Sequence, residues 1–442
     1  MFVDRVEFLN EVCAQVRAKS VHSAIREELS SHIDEIKDEE IQAGLPPEEA
    51  ERKALLYMGS PEDIGLQLDK KHRPMIEWTL LLITVAIAAM GVLVAFVVGE
   101  FDRKAAFTLL GLAVMTGVMF FNYTWLKKHP VAVYLVFCGL LLLLAFIQYR
   151  SYIRTSMLHI GYFAISSPVA QLGQLAPILL AGIIASDERL SVAKLAIIAA
   201  ISALPIVVVG KSGYAILLTL AYIIIFSVLA AKGDRNGRFL LAVPAAAVVL
   251  EAIMIATHQY MLDRITVFLS GGQSDPLAAG YLNVQLINVV KNANLFGAAN
   301  SSFDFLRMGG SSEFLLVGIL GRFGWIPTIA IILLVAALIW RIFSAAGRIR
   351  NRYGFVLSLS GCSILTVKFI YYILMNFGFL PIIGIALPII GGGGTDCIIT
   401  MAILGLILSV YRRNNLISDF AEDNKGDPAQ FWHHVVDIVF GK

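Results

Sequence analysis

The sequence predicts an all-α polytopic membrane protein with about ten transmembrane helices, a large extracytoplasmic loop between spans seven and eight, and a small soluble helical domain at the N-terminus. Three observations predict it. Mean hydropathy is +0.75, and 57% of residues are hydrophobic against 15% charged; an ordinary soluble domain carries about a quarter charged residues. Ten apolar runs recur along the chain, each near the length of about 18 residues that spans a bilayer as a helix. The first 74 residues are unlike the rest, with 16 acidic against 10 basic side chains, a balance of −6 in a chain whose net charge is +2.

That N-terminal segment reads as four short helices around one core. Ile25, Leu29, Ile33 and Ile36 repeat at helical spacing. Pro46-Pro47 suits the opening of a following helix, and Gly59 its stop. Ser60-Pro61-Glu62-Asp63 has an N-cap residue, proline at N1 and carboxylates at the positive helix end. The helix pattern resembles the cytoplasmic prefix domains found ahead of bacterial permease-like proteins, and implies a regulatory or docking domain without an active site.

The apolar runs lie at about 76–99, 105–125, 130–148, 168–186, 191–209, 213–231, 238–257, 314–340, 355–379 and 396–411. The first begins too late for a signal peptide, so no cleavage is expected. Lys and Arg concentrate in alternate short loops, at Lys127, Lys128, Arg189, Lys232, Arg348 and Arg412 among others. By the positive-inside rule both termini are cytoplasmic, and the 258–312 interval lies outside the membrane on the opposite face. After Arg413 a cytoplasmic tail, 414–442, ends in a segment where Trp432, Val435, Val436 and Val439 suit one face of a helix on the inner leaflet. Cys13, Cys138, Cys362 and Cys397 show neither disulfide nor metal spacing and read as apolar packing residues.

Two motifs fail on inspection. Gly210-Lys211-Ser212 lacks the preceding glycine of a phosphate-binding loop, because Pro205 stands there. Gly391–Gly394 has no lysine after it, and its glycines suit a re-entrant or broken helix end.

The interval His258–Ser312 stays polar for about 55 residues and closes on a carboxylate, Glu313, where the next apolar run starts. Long loops of this kind are usually functional. Ionisable residues also occur at membrane depth: Glu251, Arg322 and Lys368 within spans, with Lys211 and Glu313 near outer ends. Such charges face a cavity or a partner. They imply either a polar cavity open to the outer face or buried pairs such as Glu251 with Lys368 or Arg322.

The stretch RITVFLSGGQSDPLAAGYLNVQLINVVKNANLFG resembles the external loop of SEDS proteins, the cell-division, rod-shape and sporulation family of peptidoglycan polymerases. Arg264, Phe268, Asp275, Pro276, Gly280, Tyr281, Gln285 and Gly297 stand at that family's spacing. FLPIIGIALPIIGGGG, with Pro381, Gly384 and Pro388, is similar to its penultimate loop, and HIGYFAISSPVAQLGQLAPILLA to its fourth span.

The resemblance implies a membrane glycosyltransferase that polymerises lipid II, an undecaprenyl-linked disaccharide, in contact with membrane lipids. It also implies a penicillin-binding transpeptidase as partner, and no nucleic acid. Such chemistry needs a general base for the acceptor hydroxyl and positive charge, from side chains or a divalent cation, over the departing diphosphate. The family's essential aspartate falls at Glu313, in Ser312-Glu313-Phe314, which makes Glu313 the candidate base. Arg264 is the candidate for steering the diphosphate, with Lys211 and Lys368 contributing; Asp275, Tyr281 and Gln285 complete the candidate substrate-binding set. The family's span-four glutamate and lysine are replaced here by Ala170 and Gly173, its span-nine glutamine is Lys368, and the end of its last loop reads Gly393-Gly394-Thr395-Asp396. Two other readings stand beside the enzyme: a non-catalytic SEDS-like scaffold for wall synthesis, and a transporter of lipid-linked precursors.

Overall fold

The computed structural model describes residues 4–151, 157–160, 163–166, 168–186, 198, 212–231, 241–257, 259–271, 280–299, 303–307, 312–391 and 394–414. The chain divides into two compact units, residues 1–76 with 411–442 and residues 77–410.

Four helices build the first unit: α1 (Arg5–Gln15), α2 (His22–Gln42), α3 (Pro47–Met58) and α4 (Pro61–Lys71). Asp4 opens α1 by accepting a hydrogen bond from Val6 N, which satisfies one of the free amides of a helix start. Pro47 and Pro61 open their helices, where a missing N–H costs nothing. Gly59 ends α3 at φ +86°. Ile25, Leu29 and Ile33 are buried, as their spacing predicts, and meet Phe8, Val12, Leu55 and Met58 in one core.

Arg5 ties α1 to α2, donating to both carboxylate oxygens of Asp34 at 2.6 and 2.7 Å. That guanidinium holds the Asp34 carboxyl below its ordinary value. A depressed carboxylate contributes stability that is complete above its unfolded pKa near ~3.9 and is lost as pH falls through the folded value. Asp34 is half exposed, so the contribution is small, below about 1 kcal/mol. Pepsin cleavage within residues 1–76 of the full chain is therefore expected to depend less steeply on pH below about 4 in Asp34→Asn than in the native protein.

The second unit is a helical bundle. It contains α5 (Trp78–Val98), α6 (Phe101–Phe120), α7 (Thr124–Lys128), α8 (Pro130–Ser151), a hairpin of β1 (Met157–Ile160) and β2 (Phe163–Ser166), α9 (Pro168–Gly173) and α10 (Ala176–Ser186). It continues with α11 (Ser212–Ala231), α12 (Ala242–Thr257), α13 (Gln259–Leu269), α14 (Tyr281–Lys291), α15 (Leu315–Phe323), α16 (Trp325–Gly347), α17 (Arg352–Asn376) and α18 (Gly394–Arg412). Seven described helices are long and apolar enough to cross a membrane, and shorter apolar stretches stand at Val169–Ala185 and Pro244–Ile253. Residues 191–209, expected as span five, lie outside the described residues except for residue 198. The helical membrane fold class holds, while ten spans are not reached among the described residues.

Helix α17 is the axis of the bundle. Its membrane window is 89% buried, against 22% for α8 and 28% for α5 and α6. Small residues let helices approach closely in lipid: Gly361 of α17 admits the side chains of Ile403 and Ile407. Ser360 and Ser363 turn their hydroxyls back onto Val356 O and Leu359 O. The peripheral helices expose Leu82, Phe96, Leu109, Val136 and Phe146, which suit a hydrocarbon surround.

The run expected as one span at 314–340 is two helices, α15 and α16, broken at Gly324 (φ +89°). Backbone of the polar interval stitches the break: Gly297 N donates to Phe323 O at 3.1 Å, Ala299 N to Gly321 O at 2.7 Å, Trp325 N to Asn294 O at 3.0 Å and Ile326 N to Leu295 O at 3.2 Å. Irregular backbone within a membrane protein needs such internal partners. A hydropathy window sees only side chains, so it reads straight through the break. A Cβ at position 324 would lie 2.7 Å from Asn294 O and 2.8 Å from Leu295 O. Gly324→Ala is expected to cost at least about 1–3 kcal/mol through strain and displaced backbone, read as a lower thermal midpoint in detergent. The described part of the 258–312 interval is itself structured. It holds α13, α14 and a 3₁₀ turn at Phe305–Arg307, and Leu286, Val289 and Phe305 pack on Phe314 and Val317.

Candidate active site

Glu313 sits immediately before α15, and the N-cap residue Phe314 has no polar side chain to satisfy the first helical amides. Helix α17 supplies what the local sequence lacks. Leu316 N donates to Tyr372 Oη at 3.4 Å, and that hydroxyl donates to Ser312 O at 3.1 Å. Val317 N donates to Asn376 Oδ1 at 3.3 Å, while Asn376 Nδ2 donates to Glu313 O at 3.0 Å. Two buried side chains one turn apart thus fix the turn that carries the carboxylate.

The Glu313 side chain reaches the loop between α17 and α18, where a Cβ on Gly384 would lie 3.1 Å from Oε1. Gly384 is exposed and Glu313 half-buried, so the carboxylate borders an open surface. Arg264, from α13, meets the same loop and donates to Ile382 O. The loop is anchored further along. Tyr371 Oη donates to Pro381 O at 3.1 Å, and buried Lys104 of α6 donates to Ile389 O and Gly391 O. Ile389 sits at φ +68°, a conformation that β-branched residues rarely take. Glu313 and Arg264 are therefore brought to one loop from opposite ends of the polar interval.

Lys368 is fully buried and pairs with buried Asp396 of α18. It also donates to Gln174 Oε1 at 2.9 Å, and Gln174 Nε2 donates to Asp396 Oδ1 at 3.4 Å. Gln174 occupies the break between α9 and α10. This corrects the expected pairing of Lys368 with Glu251, which instead accepts from Thr219 Oγ1 at 3.2 Å. Arg322 forms no ion pair with Glu251 among the described residues and stands on the short helix α15. It lies exposed in the last turn of α15, over the Phe323 ring, and lines a 120 Å³ cavity with Asp304, Phe303 and Val317.

Along α17 the eight residues from Lys368 to Asn376 rise about 12 Å, so the ion pair lies roughly two turns from the Glu313 contact. The buried phenol of Tyr214 lies within electrostatic reach of both Glu313 and Asp396. Tyr281 packs edge-on against Phe303, the first link of an aromatic chain through Phe305 to Phe314. Gln285 is half-buried on the same helix. Lys211 and Asp275 lie outside the described residues. Among the described residues no three His, Cys, Asp or Glu side chains could hold a metal ion.

Sequence reasoning missed Tyr372, Asn376, Asp396 and Lys104. A signal for the first two existed: Lys368, Tyr372 and Asn376 recur every four residues and so form one polar stripe on a helix. Asp396 and Lys104 sit at the edges of apolar runs, where a charge ordinarily means solvent.

The FtsW/RodA/SpoVE family model, described as cell cycle protein, matches residues 75–416. The probable peptidoglycan glycosyltransferase FtsW of Thioalkalivibrio sp. (strain K90mix) is 30% identical over 159 residues, 35% of this chain and 40% of that one. The peptidoglycan glycosyltransferase MrdB of Escherichia coli (strain K12) is 28% identical over 166 residues, 36% of this chain and 44% of that one. The chain thus aligns with less than half the length of these two curated relatives. A chain of a peptidoglycan synthase complex that coordinates polymerization and crosslinking matches in structure with a TM-score of 0.59 at 18% identity, over 77% of this chain and 98% of that one. The rod shape determining protein RodA of Thermus thermophilus matches at 0.53 and 17% identity, over 80% and 98%. These structural likenesses carry the fold. The family model spans well over half of the sequence, and the chain, a multi-pass membrane protein, belongs to the FtsW/RodA/SpoVE (SEDS) family of cell cycle proteins.

Proposed function

We propose that this protein is a peptidoglycan glycosyltransferase that polymerises lipid II at the outer face of the plasma membrane during division, elongation or sporulation, with both termini cytoplasmic. One observation carries the reading: a carboxylate, Glu313, stands at an open edge of the bundle on a turn held by Asn376, beside Gly384 and the loop that Arg264 also meets. In this reaction Glu313 takes the proton of the acceptor sugar hydroxyl as its oxygen attacks the anomeric carbon of the donor. The bond from that carbon to the diphosphate breaks, and the lipid diphosphate leaves with the electron pair. Arg264, whose guanidinium meets the same loop at Ile382 O, offsets the negative charge that develops there. Lys368 is spent on Asp396 and acts through the packing of the bundle. The relatives named FtsW and MrdB support the activity, and the synthase complex supports a penicillin-binding transpeptidase as partner.

A scaffold reading has one observation in its favour. Ala170, where the family carries a span-four charge, is fully buried. One assay separates the readings: purified protein, alone and with a penicillin-binding partner, is given labelled lipid II beside Glu313→Gln. Glycan chains from the native protein and none from the variant support the enzyme. Lipid II binding without chains under every partner condition favours the scaffold.

A further inference from the structure

We propose that Tyr372 and Asn376 are positioning residues for Glu313, a polar clamp by which the central helix sets the place of the carboxylate. This rests on the reading of Glu313 as the base. Residue 313 precedes a helix of only nine residues, Leu315–Phe323, whose N-cap residue offers no side-chain hydrogen bond. Left alone, a helix start of this kind frays, because its first amides and the preceding carbonyls have no partner away from water. The clamp satisfies them in matched pairs. The Tyr372 hydroxyl takes one amide, Leu316 N, and gives its proton to one carbonyl, Ser312 O. The Asn376 carboxamide does the same for Val317 N and Glu313 O. Asn376 Nδ2 also donates to Tyr372 O at 3.0 Å, so the amide's own orientation is fixed.

Both side chains are fully buried and grow from the most buried of the described membrane helices, which makes the reference frame rigid. They act on residue 313 through the backbone of its turn. The clamp bonds residues 312, 313, 316 and 317, so its loss releases the whole turn. A displacement of about an ångström at a reacting group costs roughly a hundredfold in rate.

The test uses the full chain, with lipid II as probe. Tyr372→Phe removes one oxygen, and Asn376→Leu removes both polar atoms at similar size. Each is expected to lower kcat about tenfold to a hundredfold with KM held within about twofold. Amide hydrogen exchange across residues 313–317 is expected to speed up in both, a readout that needs no activity. Unchanged exchange in that turn overturns the clamp. Native-like kcat in both variants overturns it as well, provided Glu313→Gln is inactive. If Glu313→Gln keeps activity, the base reading fails instead, and the exchange result still decides whether the clamp holds the turn.

Discussion

Glu313→Gln is expected to reduce glycan-chain formation from lipid II by about 10²–10⁴-fold, the usual worth of a positioned general base, while lipid II binding stays near native. The substitution keeps the size and shape of the side chain and removes its negative charge and its capacity to take a proton. The backbone of residue 313 is held by Asn376, and the side chain borders Gly384. Glu313→Asp is the more searching variant. It restores the residue type that the SEDS resemblance expects, but it withdraws the carboxylate by one methylene from the position beside Gly384. A loss of roughly a hundredfold is expected if this chain's clamp and loop are fitted to the longer side chain. Activity equal to native in Glu313→Gln would sink the assignment of Glu313 as base.

Asp396→Asn is expected to cost about 3–5 kcal/mol of stability, because it strands the Lys368 ammonium in the most buried part of the bundle. Gln174 and the new carboxamide oxygen can still accept its hydrogen bonds, but neither neutralises its charge. Lys368→Met strands the opposite charge and carries a similar penalty. The paired change Lys368→Met with Asp396→Asn removes both desolvated charges and is expected to recover most of the loss, since no uncompensated charge is left buried. Thermal unfolding of the four proteins in one detergent gives the double-mutant cycle. A coupling energy near zero would show that the two residues do not act as a pair.

These two sites were legible in the sequence to different degrees. Glu313 stands out because a carboxylate closes a long polar interval at the edge of an apolar run, and because the neighbouring motifs align with a known family. Arg264 followed from the same motifs. The clamp was visible as spacing, Lys368-Tyr372-Asn376, but spacing along one helix says nothing about which other helix it faces. The pairing of Lys368 went wrong for that reason. Glu251 and Asp396 are both acidic residues in apolar runs, and only the approach of α18 and the broken span at Gln174 selects Asp396.

The sequence by itself determined the membrane class, the acidic N-terminal module, most of the apolar helices and the family, because hydropathy, charge balance and ordered motifs are properties of residue type and order. Tertiary structure alone decided that the eighth run breaks at Gly324, that Lys368 answers Asp396, and that Glu313 is held from α17. In each case a buried polar group had to find its partner across the bundle. Such partners are far apart in sequence and become neighbours only when the helices pack.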